Sequence, residues 1–409
     1  ENSLLFSSDY RSRLTFIKPN ILIDEKWRSI GNDSLRHKMF SAIFDNRLPS
    51  NVPLTSFILK TSFLYYRLNG VYWPKHAIQV TPLHENFNMA FSAYRIVCPL
   101  SILDNQSTVH LPEEVAIIYD ANPETNISPT YIPIRYLFIN FYSNQLGLSI
   151  CVGPLHSNYS NVLRLVEFIE IFKLLGAEKF YFYNLSVSNE ISKALEYYQN
   201  LGIAEVLPWD FYGYKVEDEV RNNGIFVAIN ECVHRSTLVD GFKYTAIVDT
   251  DEILMPLKHN TLLELLEEVD NNATSSFVFR GVFFHHNHRN DTSTVPPNVL
   301  NKFLYTQIKI QRTDNPHPSG IRSKYIVRGE AAVELGNHFL WEGIHGTYER
   351  TLPVTEALLF HYRTNCVASS CNAPLILDYY ARRFGIPIWN RVDHVCRFIF
   401  LDGICPLVE

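Results

Sequence analysis

The sequence predicts an α/β chain: a largely parallel sheet, a β-rich stretch ahead of it and a cysteine-containing helical tail behind. Three observations carry that expectation. Short apolar runs alternate with helical patterns from about residue 147 to 250. Residues 1–145 show apolar runs cut by Pro, Asn and Gly, without a helical period. Four of the seven cysteines, Cys366, Cys371, Cys396 and Cys405, fall in the stretch 366–409. The expected divisions are therefore 1–145, a β-rich domain or extension, 146–365, the catalytic α/β domain, and 366–409, the tail.

Taken in order, Phe57–Leu64 and Val115–Tyr119 are representative strands of the first stretch. The parallel sheet begins with Leu148–Val152, an apolar run stopped by Gly153-Pro154. A helix follows over Asn161–Leu175, with Leu163, Val166, Ile169 and Phe172 at helical spacing, Ser160 as N-cap and Gly176 past its end. Lys179–Tyr183 is the next strand, Glu190–Asn200 the next helix, closed by Gly202, and Ile203–Leu207 the third strand. Phe226–Leu238 is helical, Tyr244–Val248 is the fourth strand, and Thr261–Val269 is a further helix. In such sheets ligands bind beyond the carboxyl ends of the strands.

Bulk properties narrow the function. With 409 residues, 46% hydrophobic and 19% charged, the chain is long and apolar enough for about two domains, and extensive disorder is excluded. A net charge of -6 without a Lys or Arg run argues against nucleic-acid binding. Aromatic residues, 13% of the chain, serve a large core and offer sugar-stacking surface. No cysteine pair has zinc-site spacing. The odd cysteine count leaves a free thiol or an intermolecular bond. Sequons begin at Asn32, Asn105, Asn126, Asn158, Asn184, Asn272 and Asn290. Together with the cysteines they favour a lumenal or secreted setting. The chain opens at Glu1, so a signal or membrane anchor is expected upstream.

The fourth strand runs directly into Asp249-Thr250-Asp251-Glu252. Acids crowded at the tip of a buried strand are costly without a cation or hydrogen bonds. In extended chain Asp249 and Asp251 turn to one side, which suits one Mn²⁺ or Mg²⁺ shared with substrate phosphates. Downstream, His285, His286 and His288 also invite a metal reading, though strand geometry lets at most two converge.

Further motifs lie on both sides of that tip. They are Cys151-Val152-Gly153-Pro154-Leu155, the run Leu175 to Asn184, Val206-Leu207-Pro208-Trp209, Asn230-Glu231-Cys232 and His361-Tyr362-Arg363, with a weaker Phe91-Ser92-Ala93-Tyr94. In this order, the stretch from Cys151 to Arg363 resembles glycosyltransferase family 92. Gly329 departs from the family pattern, which has Pro there.

The resemblance implies a GT-A-type Rossmann-like sheet, a UDP-sugar as co-substrate, and Mn²⁺ or Mg²⁺ held by Asp249 and Asp251, with His338 or His361 as a further ligand. Lys324 and Arg328, by their charge, are candidates to screen phosphate, and Asn230 and Arg235, on the helix before the acidic motif, are candidates to meet the uridine, with ordinary structural roles as the alternative for all four. An inverting transfer calls for a base, for which Asp291, Glu330 and Glu342 are candidates. The family further implies a type II Golgi membrane protein. The likeness to nematode members points to UDP-galactose as donor and the core fucose of N-glycans as acceptor. Two other readings stand beside it: a non-catalytic secreted glycan-binding protein on the same fold, and a nucleotidyltransferase. The latter lacks its glycine-rich loop here, since Val152-Gly153-Pro154-Leu155 offers a single glycine.

Overall fold

The computed structural model describes residues 146–209, 220–364 and 373–408, and before these the segments 15–17, 28–30, 37–43, 51–57, 63–68, 71–75, 79–85, 93–99, 108–110, 113–118 and 131–135. Two compact units emerge, 1–144 with 208–241, and 145–207 with 242–409. The segment 208–241, which follows the third strand of the parallel sheet, thus joins the first unit, and the tail joins the second.

In the first unit a nine-stranded sheet runs in the order Val71–Lys75, Phe63–Leu68, Glu114–Ile118, Ile132–Arg135, His37–Ile43, Asn51–Phe57, Ala93–Pro99, Gln79–Pro82, with Arg28–Ile30 beside His37–Ile43. Its pairings are antiparallel except that of Ile132–Arg135 with His37–Ile43. Of the expected strand Phe57–Leu64, Phe57 ends one strand and Phe63 begins another, and the residues between lie outside the described ones. The helix Ile225–Leu238 packs on this unit's strands His37–Ile43, Asn51–Phe57 and Ala93–Pro99.

The second unit is built on strands β1 (Leu146–Val152), β2 (Ala177–Asn184), β3 (Ala204–Pro208), β4 (Phe242–Val248), β5 (Glu252–Pro256), β6 (Thr274–Phe279), β7 (Gly281–His285), β8 (Lys324–Arg328), β9 (Ala332–Leu335), β10 (Leu340–Gly343), β11 (Tyr348–Thr351) and β12 (Ala357–Arg363). Seven of them form one sheet in the order β3-β2-β1-β4-β8-β6-β11. Strand β1 is parallel to both β2 and β4, and β8 runs antiparallel between β4 and β6. The chain leaves β1 towards β2 and β3, then returns to β4 on the other side. That reversal opens a crevice beyond the carboxyl ends of β1 and β4, where α/β sheets bind ligands. A three-stranded sheet, β5-β12-β7, continues from the acidic turn.

Helix α1 (Val162–Leu174) is buried from Val162 to Phe172 at every residue but Arg164, which is half-buried. Leu163, Val166, Ile169 and Phe172 share its faces with Leu165, Phe168 and Ile171, so the helix is apolar all round and belongs inside. It packs against β2, β5, α2 (Asn189–Asn200) and a C-terminal helix, Gly385–Ile399. Its cap is Asn161, whose side chain accepts from the Arg164 N–H at 3.2 Å, rather than the expected Ser160. Gly176, with φ at 97°, ends it as the sequence predicts. Helix α3 (Leu262–Val269) opens on a capping box between Thr261 and Glu264. A short α4 (Tyr305–Ile308) follows, and α5 is the C-terminal helix, tied to the chain end by the Cys396–Cys405 disulfide. Cys366, Cys371, Phe91, Ser92 and the sequons at Asn32, Asn105 and Asn126 lie outside the described residues. Among the described residues no helix is long and apolar enough to cross a membrane.

Candidate active site

The acidic motif is a turn, not an extended segment. Strand β4 ends at Val248, β5 starts at Glu252, and the Glu252 N–H donates to the Asp249 carbonyl at 3.1 Å. The two aspartates take different partners. Asp249 Oδ2 takes Lys324 Nζ at 2.9 Å, and Asp251 Oδ2 meets His361 Nε2 at 3.2 Å. Their side chains remain 42% and 47% exposed, respectively, so both still face solvent from the tip.

Glu252 lies beneath them, nearly sealed. One oxygen accepts the Asp249 N–H at 2.9 Å and sits 3.3 Å from Lys324 Nζ; the other is 3.3 Å from His361 Nδ1. Burial pushes the Glu252 carboxyl up to about 7 against the pull of Lys324. Desolvation at the tip works against the charge on Asp249, yet Lys324 outweighs it and holds that carboxyl below the usual range. Lys324 itself would be lowered by burial, but Asp249 and Glu252 raise it and keep it charged. His361 follows the same logic: burial disfavours its charge, and the Glu252 and Asp251 carboxylates outweigh that and raise it.

The register explains who meets at the tip. Strand β12 runs antiparallel to β5 and puts His361 opposite Glu252. Strand β8 runs antiparallel to β4, so only its first residue, Lys324, reaches the carboxyl end, while Arg328 stands opposite Tyr244 at the far end. Arg328 there faces Asp270 and Glu330 at 3.6 and 3.4 Å. This corrects the expectation that Arg328 screens phosphate, and it removes Glu330 from the tip. Lys324 is also corrected: its ammonium is spent on Asp249, Glu252 and Asn337. His338, beside Asn337, is brought near; Ser323 O is 3.0 Å from its Nδ1, which donates there.

Asp291 and Glu342 do not line the cleft. Asp291 accepts from the Ser293 N–H, pairs with Arg382 at 3.1 Å, and is pulled down to about 2, chiefly by Ser293, which suits an anchor rather than a base. Glu342 sits on the β9–β10 hairpin, opposite Glu334 and away from its His338 turn. Asn230 and Arg235 belong to the first unit and are buried there. Arg235 makes a fork to Glu231, and Asn230 donates to the Phe226 carbonyl. Of the histidines, His286 turns to Tyr305 and Tyr362, whereas His285 and His288 face each other with ring centres 5.3 Å apart.

Beside Asp251 the crevice deepens into a cavity of about 270 Å³, walled by the loop before α1, the first turns of α1, α4 and the end of β12. Tyr159, Arg164, Glu167, His286, Tyr305 and Tyr362 line it. Glu167 Oε2 accepts from Arg164 Nη1 at 2.7 Å, and its two oxygens also take the Tyr305 N–H, the Thr306 N–H and the Thr306 hydroxyl. Burial, with Arg164 and Lys309 nearby, lowers His286 to about 4 and keeps it neutral. Sequence reasoning missed Arg164 and Glu167. The available signal was charge within a helix whose apolar spacing marks it as buried.

Among the described residues no three His, Cys, Asp or Glu side chains form a ready-made metal cage. A hard divalent ion that keeps water and shares substrate phosphates needs only one or two protein carboxylates. The half-exposed Asp251 and Asp249, with His361 against Asp251, fit that requirement.

The Caenorhabditis elegans protein beta-1,4-galactosyltransferase galt-1 is 32% identical over 143 residues, 33% of this chain and 33% of that protein. This chain thus matches about a third of its relative's length. Among solved structures, Staphylococcus aureus TarS with UDP-GlcNAc is 11% identical over 63% of this chain and 83% of that one, at a TM-score of 0.32. A thymidylyltransferase from Bacillus anthracis is 12% identical over 45% and 72% of the two chains, at 0.25. Likenesses that distant carry no weight here. The family model does: that of glycosyltransferase family 92 matches residues 147–386, more than half of the chain and all of the acidic tip, and the chain belongs to that family.

Proposed function

We propose that this chain transfers galactose from UDP-galactose to a glycan, with inversion at the anomeric carbon and with a divalent metal, Mn²⁺ or Mg²⁺. The carrying observation is the pair of half-exposed carboxylates, Asp249 and Asp251, at the switch-point end of β4. The kinship with galt-1 supports galactose as the sugar.

Asp251 and Asp249 would hold the ion, with His361 in reach once its proton is released. A bound ion of this kind neutralises charge on the departing diphosphate. The chain's own contribution is to keep both aspartates ionised and aimed. Lys324 offsets Asp249 and Glu252 from below, so the tip keeps its carboxylates without excess negative charge. Glu252 and Asp251 fix the His361 ring between them.

The fucosylated N-glycan as acceptor and a Golgi type II topology complete the reading. They rest on the sequence resemblance, the sequons and the disulfides. The test is UDP release with Mn²⁺ across a panel of UDP-sugars and fucosylated glycans. UDP-galactose is expected to be the best donor, EDTA to stop turnover and Mn²⁺ to restore it. Asp251→Ala should fold normally and lose about 10²- to 10³-fold in kcat. Undiminished turnover in that variant, or in EDTA, would overturn the metal role.

A further inference from the structure

The cavity beside Asp251 has a polar inventory that the tip chemistry does not use. Arg164 Nε, Arg164 Nη2 and the Tyr362 hydroxyl are buried and have no hydrogen-bond partner among the described residues. Buried donors are nearly always satisfied, by protein, water or ligand. Here all three belong to side chains that wall one cavity. Arg164 cannot turn elsewhere: its Nη1 is fixed to Glu167, and its guanidinium lies over the Tyr305 ring. Glu167 is in turn fully engaged by α4, so the fork is held rigid.

Tyr159, Phe168, Tyr305 and Tyr362 give the wall aromatic faces, alternating with polar residues such as Asn161 and Thr250. At about 270 Å³ the space lies below the ~300 Å³ at which pockets for drug-sized ligands begin. It matches one ring rather than two. Apolar faces with a few fixed donors match a pyranose, which has an apolar C–H face and hydroxyls at its edge. The Arg164–Glu167 pair is neutral overall and Asp251 is adjacent, so an uncharged ligand fits better than a second anion.

We propose that this cavity is a subsite for a single neutral pyranose, and that Arg164 and Tyr362 hold its hydroxyls and set which sugar is accepted. The inference builds on the transferase reading above, and the ring is either the sugar leaving the donor or the terminal sugar of the acceptor.

Tyr362→Phe removes one hydroxyl and keeps the ring; Arg164→Lys keeps the charge and loses the fork. In turnover assays each should lower kcat/KM, by about 10-fold for Tyr362→Phe and up to about 100-fold for Arg164→Lys. Inhibition by free UDP should stay unchanged in both. A rise in donor KM with slower acceptor-free donor hydrolysis identifies the donor's sugar. A rise in acceptor KM with unchanged hydrolysis identifies the acceptor's sugar. Ligand-observed NMR with methyl galactoside and methyl fucoside tests the subsite without turnover: wild-type protein is expected to show saturation transfer from one of them, weakened in both variants. Kinetics like wild type in Tyr362→Phe, or no sugar signal that the variants weaken, would overturn the proposal. An inactive wild type that still shows the signal would fault the transferase reading alone.

Discussion

At the residue scale, Lys324 has more structural than catalytic weight. Its side chain is 1% exposed and touches two carboxylates. Lys324→Met should leave Asp249 and Glu252 uncompensated, and broken buried pairs cost about 3–5 kcal/mol. Glu252 already sits near 7, so it can answer by taking a proton, which holds the loss near the lower end, about 3 kcal/mol. Urea unfolding at pH 6 and pH 8 checks this, with the larger loss expected at pH 8. Asp291 carries a separate expectation. Its folded value near 2 lies below the ~3.9 of an unfolded aspartate, so its contribution is present above about pH 4 and is lost as pH falls towards 2. Asp291→Ala should therefore flatten the acid arm of a melting-temperature profile and leave kcat at neutral pH within about 3-fold, as expected of a group outside the cleft. A collapse of neutral kcat with intact melting would restore Asp291 as a base.

At the scale of elements, the sequence was legible wherever local chemistry decides. The ends of α1, α2 and α3 follow from Gly176, Gly202 and the Thr261 box, each a backbone demand readable from a residue type. Thr261 Oγ accepts the Glu264 N–H at 3.2 Å, and Glu264 accepts the Thr261 and Asn260 N–H groups at 3.3 and 2.8 Å. Thr261→Ala should cost about 1 kcal/mol. Because each partner satisfies the other, the double variant with Glu264→Ala should cost less than the two single losses combined. Thermal melts of the three variants measure it, and strict additivity would mean that the box does not act as a unit. What stayed hidden was direction. Nothing local says that β8 runs against β4, and that single fact separates Lys324 at the tip from Arg328 at the opposite end. The acidic motif was misread for a related reason: Asp-x-Asp looks extended until Glu252 is found to start a strand in another sheet.

At the scale of the molecule, the alternation of strands and helices conveyed the second unit's sheet, but not that the helix Ile225–Leu238 packs in the first unit. Its apolar pattern specifies that it is buried and is silent on which strands bury it. The tail shows the same division between local and long-range information. Cysteine crowding after 366 marked off the tail, while the pairing of Cys396 with Cys405 required the fold. That bond closes a loop with a sequence separation of 9, for which the chain-entropy relation gives about 2–3 kcal/mol. Both sulfurs are buried, and α5, which carries Cys396, packs directly on α1, whose first turns wall the cavity. Replacing both with Ala should therefore lower stability by about that amount. It should raise hydrogen exchange in α5 first and in α1 next, and leave kcat unaltered at temperatures well below melting. If α1 exchanged before α5, or kcat fell while melting was unchanged, the tail would be shaping the cavity directly rather than bracing the helix that walls it.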